Sequence, residues 1–265
     1  MSRPKESANA LVSISTNDRG AVQAQSGTLE AGIIEAPSVL RSRTAEFRAE
    51  LRRDLADKNG TAYALKVLGL LVGIVVALVV AMPPFGWTHL ALLMVYFLFM
   101  NLFEYVLHRY PMHRRMKGLE VIFQHVTVHH AFFSEEGRYF EEPRDWFAVI
   151  LPPPIILGMS TAIALIAGLI YLITRESSHA IFFAIVGFAY YLLYELLHFA
   201  YHAPETSLIK RSRAIRSLAE LHLNHHRRNW MSKYNFNITF PIFDWIFGTI
   251  HKEPAGRSFD IRPSP

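Results

Sequence analysis

The chain has 265 residues, of which 51% are hydrophobic, with a net charge of +5 and no cysteine. That length suits one large domain or two small ones, and the missing thiols exclude disulfides and thiolate metal ligands. The sequence offers no aromatic-rich basic groove, so nucleic acid is not an expected partner; the positive charge suits anionic lipid headgroups instead.

In chain order, the first 46 residues contain no aromatic side chain and many Ser, Thr, Ala and Gly. Residues 1–40 read as disordered. Residues 42–57 read as a charged surface helix, so that 1–58 is a cytosolic tail and 59–265 the membrane domain. The tail lacks the apolar core of a signal peptide, and the first apolar stretch is expected to act as its own insertion signal.

Four stretches, near 63–82, 87–107, 155–173 and 179–200, are long and apolar enough to span a bilayer, which takes roughly 20 such residues. Four buried helices of a soluble core are the alternative, but the charges argue against it. The short links 83–87 and 174–178 hold one basic residue, Arg175, and the other 26 of 27 Lys and Arg lie elsewhere. By the positive-inside rule both termini and the 108–154 segment face the cytosol, in a bacterial inner membrane or the endoplasmic reticulum.

Ten of the thirteen histidines fall into four clusters, all at that one face. These are His108 and His113; His125, His129 and His130; His198 and His202; and His222, His225 and His226. Imidazole is the commonest protein metal ligand, and ten are too many for one four-coordinate ion, so two metal ions are expected. The pairs His198–His202, His222–His226 and His125–His129 are spaced i, i+4, which puts each pair on one helix face. His225 belongs to that same face of its helix. His130 is rotated by roughly 100° and must reach round or meet a second ion. His108 and His113 would diverge on a straight helix, but Pro111 between them is expected to bend it and let the rings converge.

His89 and His179 open their spans, roughly 28 Å from the clusters at 1.5 Å per residue, and so stand apart. His251 reads as a surface residue. Glu104 and Glu195 are ionisable groups inside apolar spans, which makes them functional candidates. A ligating histidine usually donates its other N–H to a carboxylate or a carbonyl. Glu104, Glu195 and, if the C-terminal segment folds back, Asp244 are placed to receive it.

The motifs Phe103-Glu-Tyr-Val-Leu-His-Arg-Tyr-Pro-Met-His113, Tyr194-Glu-Leu-Leu-His-Phe-Ala-Tyr-His202 and His222-Leu-Asn-His-His226, followed by Asn235-Phe236 and Phe243-Asp-Trp-Ile-Phe-Gly-Thr249, resemble the fatty acid hydroxylase superfamily. These are histidine-box membrane monooxygenases that include sterol desaturases, and the closest look is to fatty acid 2-hydroxylases. The resemblance implies an all-α integral membrane protein with about four transmembrane helices under a cytosolic helical cap carrying a histidine-rich dimetal site. It implies two iron ions (zinc as a possible substitute) held by the ten clustered histidines. It also implies O2 as co-substrate, and electrons from a separate cytochrome b5 or ferredoxin-type donor.

Three features depart from the 2-hydroxylase pattern. Three residues separate His125 from His129 where two are usual. The acidic segment 131–152 is longer than expected and is read as bordering the substrate entrance. The tail over 1–58 is too polar to fold as a cytochrome b5 domain, so the donor is expected to be another protein.

The expected function is hydroxylation of an unactivated C–H on a lipid acyl chain. The alternatives are sterol or carotenoid oxidation by the same chemistry and, in a different class, membrane metal transport. Transporters carry their polar groups near the membrane midplane, whereas these clusters sit at the ends of spans. No His-Glu-x-x-His is present, which argues against a zinc protease.

Overall fold

The computed structural model describes residues 37–252, and among them every regular element is helical. The chain divides into two units, Met1–Ser42 and Arg43–Pro265. The disorder expected over 1–40 lies outside the described residues except at 37–40, where helix α1 (Pro37–Asp54) already begins. The charged helix expected over 42–57 is the body of α1. Its Leu51, together with Leu55 just beyond its end, is buried against Phe132, Phe133, Ala148 and Val149.

Arg52 of α1 grips both carboxylate oxygens of Asp145 at 2.7 Å, and Arg48 donates to the Tyr139 carbonyl at 3.0 Å. Burial alone would raise the Asp145 carboxyl. Arg52 and the N–H groups of Glu141 and Glu142 outweigh it and hold the group below its ordinary value. The acidic run at 141–145 is thereby tied to α1.

Helices α2 (Gly60–Ala81), α3 (Trp87–Leu107), α4 (Pro153–Thr174) and α5 (Ser177–Tyr201) are the four long apolar elements. Each is long and apolar enough to cross a membrane, α3 together with its extension to Met112, so the chain is a membrane protein with four candidate spans, as its sequence leads one to expect. Helix α5 is the central one, packed by the other three, and its buried face carries Phe182, Phe183, Tyr190, Tyr191 and Tyr194. The outer faces of α2 and α4 leave large apolar side chains such as Val80 and Leu165 exposed, as a lipid-facing surface requires.

Asn59 caps α2 by accepting from the Ala62 N–H at 2.9 Å. The next residue, Gly60, meets the chain at 143–144 so closely that a Cβ there would lie 1.7 Å from the Pro143 carbonyl oxygen. Gly60→Ala is therefore expected to force the α2 start away from that segment. It would cost about 2 kcal/mol, within the range for overpacking, and appear as a lowered thermal midpoint.

Beyond the spans the chain folds over the shared end of α3 and α5. This layer holds two π-helical stretches, His108–Met112 and His125–His130, and the 3-10 turns Pro143–Ala148 and Leu208–Arg211. It is completed by α6 (Arg213–His225) and α7 (Ile242–Ile246). Lys210, buried, closes the end of α5 by donating to the Tyr201 carbonyl at 2.9 Å.

Candidate metal centre

All ten clustered histidines are buried and converge in this layer, with their ligand atoms in two groups of five. His108, His113, His125, His130 and His225 form the first. His129, His198, His202, His222 and His226 form the second. Within each group the candidate ligand nitrogens lie within 4.8 Å of one another. The groups adjoin, with the His130 and His226 rings stacked at 4.2 Å. His89 and His179 lie together at the far ends of α3 and α5, their rings 5.7 Å apart, and take no part. His251, expected at the surface, is instead half-buried, its ring packed 4.3 Å from Trp230 and 4.8 Å from Tyr234.

The partition differs from simple helix-face reasoning. His129 and His130 go to different groups because their segment is a π-turn, whose hydrogen bonds join residues five apart. The Nε2 atoms of His125 and His130 are 3.1 Å apart, while His129 presents its Nε2 to His198 at 3.0 Å and His226 at 3.1 Å. The extra residue between His125 and His129 is taken up in this wider turn. On α6, His222 and His226 share the second group, but His225 belongs to the first, 3.0 Å from His113. Pro111 sits within the other π-turn and the His108 and His113 Nε2 atoms meet at 3.1 Å, the convergence expected of that proline.

The imidazole N–H groups find partners other than the expected carboxylates. Backbone carbonyls take the Nδ1 proton of five rings: Ala148 from His129 at 2.7 Å, Arg138 from His202 at 2.8 Å and Tyr234 from His225 at 2.8 Å, with Phe236 serving His108 and Phe133 serving His226. A carbonyl only accepts, so in these neutral rings Nδ1 carries the proton and Nε2 a lone pair. His129 and His226 are both held in this way, and their Nε2 atoms still face each other at 3.1 Å. Two lone pairs at that distance repel, but they are correctly placed as two ligands of one cation.

Edges of 2.9–3.1 Å recur in both groups. With metal–nitrogen bonds of about 2.1 Å, neighbouring ligands lie about 3.0 Å apart in an octahedron and about 3.4 Å apart in a tetrahedron. Separations of this size suit nitrogens that would share a metal ion, and imidazole suits iron as it does zinc and copper.

Two of the three carboxylates, Asp244 and Glu104, instead brace the backbone at 236–239, which carries the Phe236 carbonyl. Asp244, fully buried, accepts from the Phe236 N–H at 2.9 Å, the Asn237 N–H at 2.7 Å and the Thr249 hydroxyl at 2.7 Å. Glu104 accepts from the Ile238 and Thr239 N–H groups and from the Thr239 and Tyr190 hydroxyls. Glu195 is fully buried on α5, beside Tyr191 and away from the 236–239 segment. Sequence reasoning quoted Asn235 within a motif but gave it no role; it adopts a left-handed φ of 58° and clamps the returning C-terminal segment by bonds to Leu221 and His251. Its signal was present: Asn tolerates that conformation best among residues with a side chain.

Burial, reinforced in most cases by neighbouring rings, holds the eight histidines outside the spans below the ordinary value of 6.5, His129 down to about 3. The folded protein thus disfavours their protonation relative to the unfolded chain. Stability is full above about pH 6.5 and is lost as pH falls below it, because the unfolded state then binds more protons. Metal binding requires the same neutral rings. Acidification from pH 7.5 to 5 is expected to release metal and lower the melting temperature together, followed by metal analysis and calorimetry on one sample series.

The fold and these clusters define a helical membrane protein with two adjoining, buried histidine groups that could hold metal. A fatty acid hydroxylase family model matches residues 93–249, and the chain belongs to that family. It is similar to a dihydroceramide fatty acyl 2-hydroxylase of Arabidopsis thaliana, 29% identical over 156 residues, 58% of each chain. It is also similar to a fatty acid 2-hydroxylase of Mus musculus, 26% identical over 160 residues, 60% of this chain and 39% of the relative. The chain thus spans under two thirds of the length of either relative. No solved structure matches it.

Proposed function

We propose that the chain is an O2-dependent di-iron hydroxylase that acts on a C–H bond of a membrane lipid's acyl chain. The observation that carries this reading is the pair of adjoining, buried five-imidazole groups, in a chain whose family is named for the reaction. Bound by these rings, two irons would supply O2 activation and the oxidising power that an unactivated C–H demands. Overall, one oxygen atom enters the lipid and the other leaves as water. Two electrons from a separate cytochrome b5 or ferredoxin-type protein and two protons complete the balance.

The remaining work belongs to this chain's own residues. The carbonyls of Phe133, Arg138, Ala148, Tyr234 and Phe236 fix five rings with Nε2 turned inward. An apolar pocket runs from His108 and Met112 between α3, α4 and α5, walled by Met100, Phe103, Leu107 and Met159. Such a slot suits a hydrocarbon chain and excludes water from the reacting carbon. Leu151, at the end of the acidic segment, also lines it. Tyr194 faces the pocket with a buried hydroxyl that has no hydrogen-bond partner among the described residues, so it can meet a polar group of the substrate. The distribution of Lys and Arg supports a cytosolic site and cytosolic termini.

The test compares lipid extracts of a host with and without the gene, alongside metal analysis of gently purified protein. Acyl chains heavier by one oxygen atom, with about two tightly held irons per chain, support the reading. Altered sterols or carotenoids instead would redirect it to a bulkier substrate. Freely exchanging ions with no new lipid would point to transport.

A further inference from the structure

On the surface above the second histidine group lies a polar cleft of about 200 Å³, between α6 and the segments at 138–139 and 205–210. It is separate from the apolar pocket, and the proposed chemistry makes no use of it. Arg138, Lys210 and Arg216 supply its positive charge, and Glu205 and Glu220 its negative charge. Glu205 is already engaged, accepting from the Tyr139 hydroxyl at 2.5 Å and lying 3.7 Å from the Lys210 ammonium. The exposed guanidinium of Arg216 has no ion pair or hydrogen bond among the described residues. Arg138 is engaged there through Nε, with the Glu135 carbonyl at 3.4 Å.

A further observation points to a ligand. Asn224 lines the cleft at 4% exposure, and its amide nitrogen has no acceptor. A buried donor without an acceptor, beside two under-used guanidinium forks, is matched by an oxyanion that takes several hydrogen bonds at once. The surroundings indicate where that anion comes from. The turn bearing Lys210 also presents Leu208, 72% exposed, and Ile209, 46% exposed, and Lys210 itself bonds the Tyr201 carbonyl at the end of a candidate span. Apolar side chains beside cations at the end of a span fit the boundary between acyl chains and headgroups.

We propose that this cleft binds a phosphoryl anion, supplied by the headgroup of an anionic membrane phospholipid whose acyl chains lie along Leu208 and Ile209. The occupant would also steady the dimetal layer, because the carbonyl of Arg138 is the acceptor that holds His202. The proposal rests on membrane placement and not on the hydroxylase reading.

The test uses the full chain as purified in neutral detergent, and it reads lipid binding and not turnover. Native mass spectrometry would follow retention of phosphatidylglycerol against phosphatidylcholine, with inorganic phosphate as a competitor. Phosphatidylglycerol is expected to be held at one per chain. In Arg138→Gln/Arg216→Gln its affinity should fall by about tenfold or more, as suits the loss of two charge-assisted contacts. Arg213→Gln, an exposed arginine outside the cleft, should match the parent. If the double variant is unstable, Arg216→Gln alone carries the comparison, since that side chain braces nothing. Retention of phosphate but of no phospholipid would keep the phosphoryl site and assign it to the free ion. Equal phosphatidylglycerol binding by parent and variant would overturn the proposal. So would a variant defect seen only toward an acidic redox protein, which would make the cleft a protein-docking site.

Discussion

His225→Ala and His202→Ala are each expected to abolish hydroxylation while leaving the protein in the membrane at normal abundance. They test different halves of the centre, for His225 belongs to the first group and His202 to the second. Each variant should lose about half of the bound metal, because the untouched group keeps its own five ligands. The measurement is metal per chain beside lipid turnover and membrane yield. Full oxygen-dependent turnover in either variant would remove that histidine from the centre. Loss of membrane yield is not expected, since neither ring lies on a lipid-facing surface.

Asp244→Ala is expected to do comparable damage without touching a ligand. It removes the acceptor of two backbone N–H groups and one hydroxyl, all buried. Unsatisfied buried donors cost about 1–3 kcal/mol each, so the total should be at least about 3 kcal/mol. The same N–H groups position Phe236, whose carbonyl holds His108. Metal retention should therefore weaken by roughly the 10–100-fold typical of a lost ligand-orienting partner. Thermal unfolding and chelator competition measure the two effects. A variant with normal stability but slack metal binding would assign Asp244 a purely orienting role.

The ligand candidates were legible in the sequence because a metal site needs particular side chains, and ten histidines in four clusters leave little else to explain. The four long helices were legible for a similar reason: a bilayer demands unbroken apolar length. Which ring joins which group was not legible. Helix-face reasoning assumes the α-helical period, and the π-turn at His125–His130 breaks it, sending His129 away from its expected partner. The partners of the rings were hidden for another reason. Carboxylates announce themselves by residue type, so Glu104, Glu195 and Asp244 drew attention. A backbone carbonyl has no such mark, and those of Phe133, Arg138, Ala148, Tyr234 and Phe236 are found only once the chain is folded. Gly60 gave no signal either, because its need arises from the distant backbone at Pro143.

The use of main-chain oxygens to hold the imidazoles has an evolutionary consequence. An acceptor supplied by the peptide bond survives any exchange of the side chain attached to it. Codons 133, 138, 148, 234 and 236 can drift, as far as packing allows, without erasing the contact that sets each tautomer. A lineage of such proteins can thus remodel the walls around its histidine groups while the tautomers of those rings stay set.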